Sequence, residues 1–237
     1  MVSTIAGGEN ASNDLYGGKD PRNLARYSYS ESARATGVPA STIASWVKAR
    51  SARKGDGGFF QPVIERPGEG RLSFYNLIEV HVLRSLRTKH SVQLEQVKQA
   101  AKVAEAQYHI PKLLLSEQLR FAAGHLFLER YGEIVQLSPV EQLVMKEVFE
   151  NYMGRIAFNG GVPSDFSPLE RLTQTGRKLI LVSPFVSFGR PVIRRLGITT
   201  HVIAERINAG DSEGDVMEDF GLLPAELKEA LAYESAA

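Results

Sequence analysis

The chain has 237 residues, of which 43% are apolar and 23% charged, so it can bury one or two hydrophobic cores. It contains no cysteine, which excludes disulfides and zinc sites built from thiolates. No stretch approaches the roughly 20 apolar residues that a membrane helix needs, and residues 1–16 lack a secretory signal pattern. We therefore expect a cytoplasmic protein without a membrane segment.

The net charge of +1 conceals two oppositely charged ends. Residues 19–72 carry ten lysines and arginines against five acids, a net charge of +5. Residues 205–237 carry two against nine, a net charge of −7. The two ends are therefore expected to bind different partners. Residues 1–18, rich in Gly, Ser, Ala and Asn, are interpreted as a disordered tail.

Residues 26–50 have the pattern of two short helices joined by a tight turn. After an extended segment over 27–29, Ser30 is predicted to cap a helix that spans 31–36 and ends at Gly37. Pro39 is predicted to open the second helix, whose buried face carries Ile43, Trp46 and Val47.

The other face of the second helix and the residues just beyond it are polar and basic, and we predict that they bind DNA: Ser41, Thr42, Ser45, Lys48, Arg50, Arg53 and Lys54. Small polar side chains at the start of such a helix can approach base edges, and the following cations can neutralise phosphates. The alternative is an αα-corner whose polar face is only solvated.

The segment YSESARATGVPASTI at 29–43 resembles the winged helix-turn-helix of MerR-type regulators. The resemblance implies that residues 19–108 form a DNA-binding domain whose second helix enters the major groove. The wing hairpin would lie at 60–72, with its tip at 67–70 and with Arg66 and Arg71 reaching backbone phosphate. A helix capped by Ser73 would then run to about Lys89.

Apolar residues at helical spacing form a seam over 92–108 (Leu94, Val97, Ala101, Ala104 and Tyr108). The seam suits packing within the core or against a second copy of the chain. A regulator that reads a palindrome needs a dimer, so we expect a homodimer, with this seam as its first candidate interface.

Residues 109–183 are predicted to be a linking α+β region. Strands are expected at 125–129, 133–137, 155–158 and 178–182, with helices at 111–119 and 139–151. Together the strands are expected to make one small sheet.

Residues 184–237 are predicted to form a tri-helical, homeodomain-like unit. Apolar periodicity marks helices at 201–208, 216–220 and 227–233, separated by breaks at 209–212 and 221–224. The predicted fold class is therefore mainly α with small β, or α+β. Because this unit is acidic, a phosphate backbone would repel it, and we expect it to bind protein.

The segments PFVSFGRPVIR at 184–194 and ITTHVIAER at 198–206 resemble domain-of-unknown-function family 433. Members of that family often occur as VapB-type antitoxins beside a PIN-like ribonuclease toxin, so the resemblance implies such a partner. This chain departs from the family by reading Arg-Leu-Gly-Ile at 195–198, where Gly-Thr-Arg-Ile is usual.

Such nucleases work through clustered carboxylates around metal ions, which an inserted arginine could pair with. Arg190, Arg194 and Arg195 are the candidate toxin-binding residues. The alternative is that Arg190 and Arg194 bind local backbone carbonyls.

Patterns of catalysis and of cofactor binding are missing from the sequence. The five histidines stand apart, and neither Gly57-Gly58 nor Gly160-Gly161 is followed by the remainder of a phosphate loop. Asp211, Glu213 and Asp215 begin like a calcium loop, but Val216 stands where glycine is required. We predict no enzymatic activity, no catalytic residue, no metal and no cofactor.

Three functions remain open from the sequence. The first is an antitoxin that binds operator DNA as an autorepressor and neutralises a PIN-like ribonuclease. The second is a MerR-like regulator with a small-ligand effector domain and no toxin partner. The third is a scaffolding protein without DNA contact.

Overall fold

A computed structural model describes much of the chain: residues 16–48, 50–51, 59–60, 62–68, 70–88, 97, 105–106, 109, 112–117, 150–168 and 178–236. The strands predicted at 125–137 lie outside these residues, as do most of the seam at 92–108 and most of the helix at 139–151. No helix in the described ranges is long and apolar enough to cross a membrane.

The N-terminal unit begins with a helix-turn-helix made of α1 (Tyr29–Thr36) and α2 (Ala40–Val47). The N-cap of α1 is Ser28, so the prediction that Ser30 caps it was wrong. Ser28 Oγ accepts the Glu31 amide at 3.1 Å, and the Glu31 carboxylate accepts the Ser28 amide at 2.7 Å. This reciprocal capping box needs a glutamate three residues after the cap, a spacing that Ser28 has and Ser30 lacks.

An antiparallel strand pair lies earlier in the chain than the predicted wing hairpin. Strand β1 (Arg50–Ser51) pairs antiparallel with β2 (Phe59–Phe60). Residues 62–68 and 70–72 instead run back along the helix-turn-helix: the amides of Val63 and Ile64 bond to the Trp46 carbonyl at 2.9 and 3.2 Å, and Leu72 bridges to Tyr27. The placement of the wing at 60–72 was therefore wrong, because this segment's backbone groups pair with residues 27 and 46.

Helix α3 (Phe74–Thr88) is the centre of the larger hydrophobic core. Ser73 Oγ accepts the Asn76 amide at 3.2 Å and Asn76 Oδ1 accepts the Ser73 amide at 3.1 Å, which confirms the predicted cap. The fully buried side chains of α3 include Phe74, Leu77, Ile78, Val80, Val82 and Leu83. They pack on α1, on a 3₁₀ turn at Leu113–Leu115 and on the strands that follow.

Within residues 150–168 and 178–193, the middle of the chain contains short strand pairs; two strands of the predicted single sheet lie outside the described residues, so that sheet stays a prediction. Strand β3 (Ile156–Asn159) forms a hairpin with β4 (Val162–Phe166), and β5 (Ile180–Leu181) pairs with β6 (Val192–Ile193). One bridge, Phe166 to Val182, connects the two pairs. The predicted strand near 155–158 is confirmed, but its partner β4 lies in a stretch expected to be loop.

The C-terminal unit has three helices, as predicted: α4 (Thr200–Asn208), α5 (Glu213–Phe220) and α6 (Pro224–Ser235). They enclose a second core of Ile193, Ile203, Val216, Leu222, Leu227 and Ala230. The described fold is thus mainly helical with small two-stranded sheets, which confirms the predicted class.

Candidate functional site

The first candidate surface is the solvent side of α2, which we call the recognition face and define by Ser41, Thr42, Ser45 and Lys48. Ser41 and Lys48 are exposed, whereas Thr42 and Ser45 are half-buried. The Ser45 hydroxyl donates to the Thr42 carbonyl at 2.7 Å, so it can only accept from a ligand. On the opposite side, Ile43, Trp46 and Val47 fix α2 in the core.

The remaining predicted DNA-binding residues fall in three places. Arg50 begins β1 of the hairpin next to α2, and Arg53 and Lys54 lie outside the described residues, between β1 and β2 in the chain. Arg66 and Arg71 do not belong to the hairpin. Arg66 Nη1 donates to Tyr29 Oη at 3.0 Å, and Arg71 Nη1 donates to the Arg26 carbonyl at 2.5 Å.

Two arginines of α3 that were not predicted as DNA-binding residues lie beside α2. Arg84 and Arg87 line an open notch of about 380 Å³ together with Thr42, Trp46 and the turn residues 37–39. Arg84 Nη1 donates to the Thr36 carbonyl at 2.5 Å and so braces the turn. Arg84 and Arg87 are three residues apart, which indicates that they share a face of α3. Only the packing of α3 shows that this face lies beside α2.

The second candidate surface is a cleft of about 690 Å³ between the N-terminal and C-terminal units, which we call the basic cleft. Its charged lining comprises Arg26, Arg34, Arg71, Arg190, His201, Glu31 and Glu234. Four arginines face two glutamates, so the cleft has an excess of positive charge and suits an anionic group.

The two units are joined along this cleft by hydrogen bonds from the N-terminal unit. Tyr27 Oη donates to the Gly189 carbonyl at 2.8 Å in a buried position, and burial raises the pKa of Tyr27, so its hydroxyl stays protonated. Arg34 pairs with Glu234 at 2.5 Å and donates to the Ala236 carbonyl at 3.2 Å. The C-terminal helix is therefore attached directly to α1 of the helix-turn-helix.

A strained turn at the edge of the cleft exposes two aromatic side chains. Ser187 and Phe188 have φ angles of 46° and 54°, a region that residues other than glycine rarely occupy. Phe188 is 60% exposed and Phe185 is 48% exposed. The Arg26 guanidinium lies 5.9 Å from the Phe188 ring centroid. Exposed aromatic rings beside arginines are typical of protein-binding hot spots.

The three predicted toxin-binding arginines have different environments. Arg194 Nε donates to the Lys178 carbonyl at 2.9 Å, and Nη2 donates to Ser167 Oγ at 2.5 Å. Arg194 thus binds a backbone carbonyl within the chain, as the alternative to toxin binding expected. Arg190 is exposed in the basic cleft: its backbone amide donates to the Ser187 carbonyl at 3.1 Å, but its guanidinium makes no hydrogen bond or ion pair with any residue in the described ranges. The guanidinium of Arg190 therefore does not bind local carbonyls in the described part of the chain.

Arg195 is engaged inside the C-terminal unit. Its Nε and Nη2 donate to the two carboxylate oxygens of Glu226 at 3.0 and 2.7 Å, and Nη2 also reaches the Gly221 carbonyl at 2.7 Å. Glu226 is 3% exposed. Desolvation alone would raise the pKa of its carboxyl, but hydrogen bonds from Arg195 and from the Leu223 amide lower that pKa overall. Arg195 therefore links α5 to α6.

Within the residues that the structure describes, no group of three or more histidine, cysteine, aspartate or glutamate side chains could hold a metal ion. His81 is buried and hydrogen-bonded to the Tyr152 carbonyl at 3.0 Å, in contact with the rings of Tyr152 and Phe166. His201 pairs with Glu205 on the surface of α4.

The C-terminal unit matches a known family model, described as "Protein of unknown function (DUF433)", over residues 180–233. Residues 180–233 are a DUF433 domain. The match begins at β5 and ends within α6, so it includes the strained turn, Arg190 and the three helices. The sequence resemblance at this end is thereby confirmed.

The similarity to known proteins extends well beyond the DUF433 domain. A protein of Mycobacterium tuberculosis described as "Putative antitoxin VapB45" is 26% identical over 226 residues, which cover 86% of this chain and 92% of that protein. The crystal structure of Rv2018 from Mycobacterium tuberculosis superposes with a TM-score of 0.63 at 23% identity, covering 88% of this chain and 98% of the other. The first is a distant homologue, and the second shows a shared fold.

Proposed function

We propose that this protein is an antitoxin that binds its operator DNA as an autorepressor and neutralises a PIN-like ribonuclease toxin. The observation that carries the proposal is the attachment of a DUF433 domain to a helix-turn-helix, in a chain that is distantly homologous to a VapB antitoxin over most of its length. One unit would bind DNA and the other would bind the toxin.

The DNA-binding role is assigned to the recognition face. Exposed Ser41 and half-buried Thr42 lie near the start of α2, where a helix in the major groove places its base contacts. Lys48 at its end suits a phosphate contact. Arg50, together with Arg53 and Lys54 a few residues later in the sequence, adds positive charge to this part of the chain. In this proposal a homodimer reads a palindromic operator.

The toxin-binding role is assigned to Arg190 with the neighbouring exposed rings. An arginine without a partner in the described part of the chain can form strong charge-assisted pairs with the carboxylates of a nuclease active site. Arg194 and Arg195 are already hydrogen-bonded within the chain, so their contribution would be to hold β5, β6 and the helices in place. Phe188 would pack against the toxin surface beside Arg190.

The experiment separates the two roles by single substitutions. The chain is co-expressed with the toxin encoded beside it, and growth and operator binding are measured for each variant. Arg190→Ala should impair rescue of growth and leave operator binding unchanged. Ser41→Ala and Thr42→Ala should reduce discrimination between operator and unrelated DNA, while Lys48→Ala should weaken binding to both about equally. Rescue by Arg190→Ala at the wild-type level would refute the arginine contact.

A second candidate function is favoured by the basic cleft. Its volume and excess of arginines suit a small anionic effector, as in a ligand-responsive regulator without a toxin partner. In that case a small anion would change operator affinity, and the adjacent gene would not encode a ribonuclease. Operator binding measured with and without a panel of small organic acids distinguishes this regulator from an antitoxin.

A further inference from the structure

We infer that Arg87 of α3, together with Trp46 and the start of α2, forms a binding site for a DNA backbone phosphate at the flank of the recognition face. The inference rests on the operator binding proposed above. It adds a residue from a third helix to the DNA-binding surface, one that lies outside the helix-turn-helix itself.

The notch is built by packing between α2 and α3. Arg87 is exposed, and its guanidinium lies 5.8 Å from the ring of Trp46. The guanidinium makes no hydrogen bond or ion pair with any residue in the described ranges. Thr42 lines the same notch, so the notch adjoins a residue of the recognition face. A phosphate in it would belong to the strand that borders the groove entered by α2.

Arg84 holds in position the turn that lines the notch. Its Nη1 bonds to the Thr36 carbonyl, and a Cβ added at residue 37 would lie only 2.2 Å from that nitrogen. The glycine that ends α1 therefore also permits the close approach of Arg84 to the turn. With Arg84 engaged there, its guanidinium adds positive charge to the notch without having to move.

Two further features of the notch favour an oxyanion. Trp46 is 3% exposed, and its indole Nε1 is a buried donor without a hydrogen-bond partner among the described residues. Such an orphaned donor costs about 1 to 3 kcal/mol unless a ligand or water accepts from it. In addition, the N-cap residue of α2 is Pro39, which makes no side-chain hydrogen bond, so the positive end of the helix dipole is left uncompensated.

The charge of the lining favours a phosphate over the other groups of DNA. The residues that line the notch are Gly37, Val38, Pro39, Thr42, Trp46, Arg84 and Arg87, which include two cations and no acid. A guanidinium fork and neighbouring N–H donors match the oxygens of a phosphate, whereas a base edge would be read from the groove. The site is therefore expected to contribute affinity without sequence preference.

The test is the salt dependence of DNA binding by the full chain carrying Arg87→Gln. Each lost phosphate contact should reduce the steepness of log affinity against log salt by about 0.9 and lower the affinity about tenfold. The proposed homodimer loses two such contacts, so the changes should be about 1.8 in slope and about a hundredfold in affinity, equal for operator and unrelated DNA. Arg87→Lys should restore the slope but only part of the affinity, because it keeps the charge and loses the fork. Lys228→Gln is the matched control, because it makes the same charge change at an exposed position of α6, and it should keep the wild-type slope.

A second arm uses inorganic phosphate alone and needs no DNA. At constant ionic strength, phosphate in place of chloride should raise the melting temperature of the wild type more than that of Arg87→Gln or Trp46→Phe. If the wild-type chain binds no DNA, the proposed operator binding is refuted. The melting temperatures in phosphate then show by themselves whether the notch binds phosphate. A wild-type salt slope for Arg87→Gln in a chain that binds DNA overturns the inference, as does equal stabilisation of all variants by phosphate.

Discussion

The contact between Tyr27 and Gly189, which joins the two units, predicts that Gly189→Ala lowers the free energy of unfolding strongly. Gly189 has a φ of 80°, and an added Cβ would lie 2.5 Å from Tyr27 Oη, the atom that donates to the Gly189 carbonyl. An L-residue with left-handed backbone costs roughly 1 to 2 kcal/mol. Breaking the buried hydrogen bond adds about 1 to 3 kcal/mol. We expect a total loss of about 3 kcal/mol in the free energy of unfolding.

The assay is urea unfolding followed by circular dichroism, with Gly197→Ala as the matched control. Gly197 has a similar φ of 72° but no atom within 4 Å of the added Cβ, so it should show only the backbone cost. In a Tyr27→Phe background the hydroxyl is gone and the next ring atom lies 3.4 Å away, so Gly189→Ala should cost about as little as the control. Equal costs for the two alanine variants in the wild-type background would refute this reasoning.

Three further predictions concern stability. Ser28→Ala should cost about 1 kcal/mol by removing the cap of α1, whereas Ser30→Ala should change little; the reverse order would contradict the capping assignment. Burial lowers the pKa of His81 to about 4, below the value of about 6.5 expected in the unfolded chain, so the unfolded state binds a proton first as pH falls. The contribution of neutral His81 to the free energy of unfolding, about 3 kcal/mol, should be complete above pH ~6.5 and lost towards pH ~4. Urea unfolding measured across this pH range should show no such loss in His81→Gln. The Arg34–Glu234 coupling, measured by a double-mutant cycle with Gln at each position, should be about 1 kcal/mol and should weaken at high salt.

Local sequence signals predicted the elements whose ends are marked by caps. Gly37 ends α1, Ser73 caps α3, and Ser212 and Gly221 bound α5, each through a hydrogen bond made within a few residues. The capping error at α1 also has a local cause. Ser28 and Ser30 both suit an N-cap, and only the position of Glu31 distinguishes them.

Long-range pairing explains the expectations that failed. The segment 62–72 has the glycines of a hairpin tip, but its backbone pairs with Tyr27 and Trp46, which lie far away in the sequence. Arg195 looks like a free cation in the sequence, and its partner Glu226 is 31 residues away. Neither contact leaves a periodic or compositional signal near the residue concerned.

The candidate site was predictable in composition but not in arrangement. The basic N-terminal segment and the polar face of α2 follow from residue types and spacing. The basic cleft brings Arg26 and Arg71 next to Arg190, and the notch brings Arg87 next to Thr42, only because distant elements pack together. Sequence reasoning therefore assigned Arg71 to the wing, whereas the structure places it in the cleft between the units.

The measurement that tests the proposed antitoxin function most directly is the inhibition, by the purified chain, of the ribonuclease toxin that the proposal expects to be encoded beside it. Ribonuclease activity of the toxin is followed on a labelled RNA while the chain is titrated in, with the Arg190→Ala variant in parallel. The account predicts loss of activity at a stoichiometric ratio for the wild type and weaker inhibition by the variant. Full ribonuclease activity in the presence of excess wild-type chain would contradict it.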